Sequence, residues 1–213
     1  MDSCVPEKFY QFCDPIEVYK HTRPSNDAFI NADFMLSKKK LIEAAAGARL
    51  ALCMNILYGK KIQMCLLPEQ SDHDFDLTHG DEIMRFQFTE RLEQDRQRDR
   101  EYKNQQQGKV IPRPYRPARN TENAIPWIVE AIRKKMRYSD KPSLLVYVNF
   151  NCDLIPFDTL VSEVNKIEGI QKYFASIWAL LSISFNYDET SIGRLFPLPD
   201  GWLDFNCATG KRL

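Results

Sequence analysis

Apolar and polar positions follow one another along this chain in two rhythms, one of helices and one of strands. From about Met35 to Tyr58, residues Leu41, Ala45, Ala48, Leu52 and Ile56 recur at helical spacing. Ala44-Ala45-Ala46 favours helix and Gly59 stops it. Ile62 to Leu67 is short, apolar and closed by Pro68, which predicts a strand. Two further strands are predicted at about His73–Thr78 and Ile83–Thr89, joined by the turn-rich Thr78-His79-Gly80-Asp81-Glu82, so a hairpin is expected. In the second of them, Arg85, Gln87 and Thr89 share one face, and Met84, Phe86 and Phe88 the other.

Glu90 to about Gln107 is dense in charge and almost free of apolar residues, the pattern of a solvated helix. Gly108 to Asn120, with Pro112, Pro114 and Pro117, reads as an extended loop. A second amphipathic helix is predicted from about Ile125 to Arg137, with Ile125, Ile128, Val129, Ile132 and Met136 as its buried stripe. Leu144 to Phe150 is a continuous apolar run of the kind that marks a strand covered on both faces. A helix follows at about Ile155 to Glu168, then a buried strand at Ala175 to Leu181 and an edge strand around Trp202 to Phe205. Residues 1–34, with Pro6, Pro15 and Pro24, read as an irregular aromatic leader, with room for short helical or strand pieces, packed on a single domain of residues 35–213. The strand, helix, strand tail demands a right-handed crossover and parallel pairing, while the hairpin demands antiparallel pairing. An α/β fold results, with a mixed central sheet of four to six strands flanked by helices.

Composition narrows the picture little. Lys plus Arg is 29 and Asp plus Glu is 29, so global charge selects no partner, and a nucleic-acid contact would need a local patch. No run reaches the roughly 18 apolar residues needed to cross a bilayer, and the N-terminus lacks the order of a signal peptide, so no membrane role and a cytoplasmic protein are expected. The six cysteines include no C-x-x-C pair and lie partly in apolar runs, which suits buried thiols better than disulfides or zinc. Oligomeric state is not fixed by the sequence, a homodimer included.

The chemistry concentrates in His73-Asp74-Phe75-Asp76-Leu77, a turn, and Phe86-Gln87-Phe88-Thr89-Glu90. An acid at the start of one hairpin strand beside polar residues on the next places oxygen ligands close together. Magnesium or manganese prefers such oxygens. Turn capping is the plain alternative for Asp74 and Asp76, and an ordinary polar strand face is the alternative for Gln87 and Thr89. His73 and His79 flank the two aspartates and could bind a transition metal, but read more readily as surface residues of the hairpin. Cys207-Ala208-Thr209-Gly210-Lys211 lacks the upstream glycine of a phosphate-binding loop.

The order helix, three strands, helix, strand, with an acid on the second strand and a polar-x-polar step on the third, resembles the PD-(D/E)XK nuclease-like (restriction-endonuclease-like) superfamily over roughly Met35 to Leu181. The resemblance implies a metal-dependent nuclease that uses Mg2+ or Mn2+ on DNA or RNA. It implies Asp74 as the motif aspartate, with His73 standing where proline is usual. Gln87 matches the second acid, Thr89 falls where a lysine is expected, and Glu43 matches the helical acid that some members use. Phe88 would offer its backbone carbonyl to the metal. Two departures make the site degenerate: glutamine carries no charge, and threonine cannot replace an ammonium. Glu90 follows the strand directly, and Arg96, Arg98, Arg100, Glu101 and Tyr102 lie where further charge or an accessory aromatic could come from.

Lys103 to Arg119 holds five basic residues and no acid, and Arg113 and Arg116 flank Tyr115, which could stack on a base. The alternative is a solvated loop. Two further readings therefore stand beside the enzyme: the same fold as an inactive nucleic-acid-binding module, and a protein-interaction module using the leader aromatics. All depend on Asp74 and Gln87 pointing into one polar pocket on neighbouring strands.

Overall fold

The computed structural model describes residues 5–23, 39–92, 124–137, 140–149, 155–182 and 188–213. Eight strands form one mixed sheet in the order in which they occur along the chain. They are β1 (Gln63–Leu66), β2 (Phe75–His79), β3 (Glu82–Leu92), β4 (Ser143–Asn149), β5 (Ile177–Ser182), β6 (Glu189–Phe196), β7 (Leu203–Asn206) and β8 (Lys211–Arg212). β3, β4 and β5 are parallel; all other neighbours are antiparallel.

Helices cover both faces. On one lie α1 (Pro15–Thr22) and α2 (Lys39–Tyr58); on the other lie α3 (Ala124–Lys134), α4 (Phe157–Asn165) and the short α5 (Ile170–Tyr173). Strand alternation sorts the core accordingly. Phe75, Phe86, Phe88, Leu145, Tyr147, Trp178 and Leu180 pack under α2. Leu144, Val146, Val148, Ile177, Ala179 and Leu181 pack under α3 to α5. β4 and β5 thus lose water on both faces, which explains their unbroken apolar runs.

Helix α2 is buried from Lys40 to Met54 on every side, because α1 covers the flank away from the sheet. A Cβ on Gly47 would sit 3.2 Å from the Met64 methyl carbon and 3.3 Å from the Phe75 ring, so glycine lets this helix lie close on β1 and β2. By length and composition α2 could cross a membrane, contrary to the expectation from sequence, although 72% of its apolar window is buried inside the protein. Scattered Lys39, Lys40, Glu43 and Arg49 break the run to the eye but not its mean.

In the described part of the leader, residues 5–23, short helical pieces and one bridge are present. Asp14 caps α1 by accepting the Ile16 N–H at 3.0 Å, and Pro15 occupies its first turn. Cys13 bridges to Met64 of β1, and Val5, Phe9, Val18 and Tyr19 belong to the α2 core.

The expected hairpin is present, with Gly80 at φ +60° in its turn and Thr78 donating to the carbonyls of Gly80 and Glu82. β3 continues through Thr89 to Leu92, so the start of the predicted solvated helix is strand; its remainder from residue 93 lies outside the described residues. The sheet exceeds four to six strands because β6 and β8 were not anticipated. β6 carries Gly193. It is required there, since a Cβ would come within 2.6 Å of the Phe157 ring and 2.9 Å of the Gly201 carbonyl.

Candidate metal centre at the β2–β3 edge

Asp74 closes the β1–β2 connection. Its N–H donates to the Phe86 carbonyl at 2.9 Å, and its own carbonyl accepts from Leu67 N–H at 3.2 Å. Both main-chain groups being spent, the carboxylate is held in one place. Oδ2 accepts the Phe88 N–H at 2.7 Å, and Oδ1 lies 3.8 Å from Lys39 Nζ. Lys39 and Lys40 open α2, one turn before Glu43. Lys39 Nζ is 3.2 Å from one Glu43 oxygen, and Lys40 Nζ is 2.6 Å from the other. Two carboxylates and two ammonium groups thus meet on the α2 face.

Glu43 is wholly buried. Burial pushes its carboxyl above the usual range, the Asp74 charge pushes it the same way, and Lys40 and Lys39 oppose them. Beyond these two ion pairs, neither Glu43 oxygen has a hydrogen-bond partner among the described residues. Around Lys39, partial burial acts to lower the pKa, but Glu43 and Asp74 outweigh it and hold the ammonium above its usual value.

Gln87 does not share this environment. Its side chain leaves β3 on the α3 face, the face of its register partner Leu144. There Lys135 Nζ donates to Oε1 at 3.2 Å, and Nε2 donates to the Asp72 carbonyl. Beside it, His73 Nε2 lies 2.5 Å from Asp140 Oδ2. The shared pocket for Asp74 and Gln87 is therefore corrected: β3 alternates, so residue 87 faces away when Phe88 faces α2. From β3, the Phe88 N–H reaches Asp74.

The other expected residues divide in the same way. Thr89, half-buried and opposite Val146, follows Gln87 on the α3 face. Glu90, half-buried and opposite Tyr147, lies on the α2 face with Phe88. Arg91 returns to the α3 face, over the Trp127 ring at 5.8 Å and 3.1 Å from Glu130. Arg96, Arg98, Arg100, Glu101, Tyr102, Arg113 and Arg116 lie outside the described residues. Cys53, Cys65 and Cys207 are buried thiols, and Cys13 is half-buried and also free.

Sequence reading missed Lys39 and Lys40, although their spacing of four and three residues from Glu43 is the helical ion-pair signal. It also missed Lys135, Asp140 and the Asp72 carbonyl, which only folding brings to Gln87 and His73.

Among the described residues, no three His, Cys, Asp or Glu side chains gather as a metal site. The donor set still suits a hard divalent cation in part. Two carboxylates lie close, one of them buried with oxygen lone pairs that no aligned donor uses. Mg2+ is commonly held by one or two carboxylates together with waters and substrate phosphates. Comparison with protein-family models, curated proteins and solved structures returned no match.

Proposed function

We propose, although Asp74 and Gln87 lack the shared pocket on which the nuclease-like resemblance depends, that the separate cluster of Asp74, Glu43 and Lys39 makes this α/β protein a metal-dependent phosphodiesterase acting on nucleic acid, with a degenerate site. The observation that carries the reading is the convergence of both carboxylates on one ammonium, at 3.2 and 3.8 Å, beside the β2–β3 edge. The order α2, β1, β2, β3, α3, β4, with only the last strand pair parallel, supports it as well.

Asp74 and Glu43 would hold Mg2+ or Mn2+. A bound cation of that type neutralises phosphate charge and makes its water more acidic. Lys39, mostly exposed, presents an ammonium on the solvent side of both acids and supplies the positive charge that Thr89 lacks. Asp74 is fixed for this role by the Phe88 N–H.

The test is incubation of the full chain with single- and double-stranded DNA and RNA in Mg2+ or Mn2+. Cleavage should appear, stop with chelator, and vanish in Asp74→Ala and Glu43→Gln. Failure to cleave any of these nucleic acids with either metal overturns the enzyme reading.

A second reading is favoured by the placement of Gln87 and Thr89 on the α3 face, which leaves the site short of acids. It is an inactive nuclease-like module that binds nucleic acid through Lys103 to Arg119. Binding would then fall steeply with salt, survive Asp74→Ala and weaken when Arg113 and Arg116 are neutralised.

A further inference from the structure

We propose that Gln87 is a positioning residue for Asp74, acting through the backbone from the opposite face of the sheet, and that the His73–Asp140 pair completes the clamp. The proposal rests on the metal reading only for its effect on cation affinity; the clamp itself does not need it. Two side-chain contacts hold residues 72 and 73, and a third holds Gln87. Gln87 Nε2 donates to the Asp72 carbonyl, Lys135 steadies Gln87 through Oε1 at 3.2 Å, and His73 lies 2.5 Å from Asp140. Asp74 comes next in the chain, and its carboxylate emerges on the other face, with Oδ2 2.7 Å from the Phe88 nitrogen.

Residue 87 must accept from an ammonium and donate to a carbonyl at once. An amide does both; a carboxylate cannot donate and would repel the Asp72 carbonyl. Glutamine is therefore the residue this position demands, whatever a metal-ligand role would ask. The side chain is 97% removed from solvent with its residue (3% exposed), so a mismatch there has no water to relieve it.

The test compares full-length wild type with Gln87→Glu, Gln87→Leu and Asp74→Asn by two readouts. The first is the Phe88 amide, by its proton shift and hydrogen exchange in metal-free protein. That amide reports the hydrogen bond to Asp74 and needs no cation. The second is Mn2+ affinity by titration calorimetry.

Both Gln87 variants should move the Phe88 amide toward its position in Asp74→Asn, and both should weaken Mn2+ by about 10-fold or more, as loss of an outer partner typically does. Tighter Mn2+ binding by Gln87→Glu would overturn the proposal, because it would place residue 87 among the ligands. A Phe88 amide unmoved in folded Gln87→Glu and Gln87→Leu would overturn it too, because Gln87 would then only brace the loop. Absence of Mn2+ binding by wild type would defeat the metal reading alone, with the clamp still judged on the amide.

Discussion

The two faces of the sheet at the β2–β3 edge treat polar groups in opposite ways. Under α2, a buried carboxylate meets ammonium groups without an aligned hydrogen bond, and its charge is balanced by Lys40 and Lys39. Under α3, the corresponding position holds a neutral amide whose oxygen and nitrogen both have partners. The first arrangement is an ion-paired cluster that is costly to maintain; in the second the Gln87 amide is satisfied, while Asp76 Oδ1 on the same face and His73 Nε2 beside Gln87 are buried without a hydrogen bond. On the proposed reading, metal chemistry would belong to the first face and support for Asp74 to Gln87 on the second.

Breaking the charge balance should have the largest effect. Lys40→Met leaves Glu43 buried with only the exposed Lys39 nearby, and the fold should lose about 3 kcal/mol in denaturant titration at neutral pH. Adding Glu43→Gln to that variant should restore most of the loss. If the double variant is as unstable as the single one, Lys40 matters for packing and not for charge.

An intermediate effect is expected at Asp76, whose buried Oδ1 has no hydrogen-bond partner. Burial pushes its carboxyl up, with His73 and Arg85 pulling the other way. The folded protein therefore binds that proton more tightly than the unfolded chain. The stability it contributes is full below the unfolded value and is lost as pH rises through the raised folded value. Asp76→Asn should stabilise the protein by about 1 kcal/mol at neutral pH, and the gain should vanish in acid. Equal denaturation midpoints for both proteins at neutral pH would refute this.

The smallest effect should come from Lys135→Met, which removes one hydrogen bond to Gln87 on the α3 face at about 1 kcal/mol or less. A loss as large as that of Lys40→Met would erase the contrast between the faces.

The sequence disclosed the elements whose period was strong and hid the pairings between distant residues. The apolar stripe of Ile125, Ile128, Val129 and Ile132 and the runs of β4 and β5 were legible because their cores are long and regular. β6 was not anticipated; its Gly193 is needed for the approach of Phe157 and Gly201. Within the site, Asp74 and Glu43 could be picked out by type and order. The direction of Gln87 followed from strict alternation about Phe88, yet the motif spacing suggested a shared pocket, and alternation prevailed. Lys135 and Asp140 were beyond reach, since nothing local links residue 87 to 135 or residue 73 to 140.

The burial of α2 on all flanks has a practical outcome for anyone shortening the protein. A version begun at residue 35 would strip away Val5, Phe9, Val18 and Tyr19 and bare the greasy outer side of the helix that carries Glu43. Such a fragment should aggregate if residues 5–23 belong to the folding unit; a soluble, monomeric fragment by light scattering would make them a detachable arm.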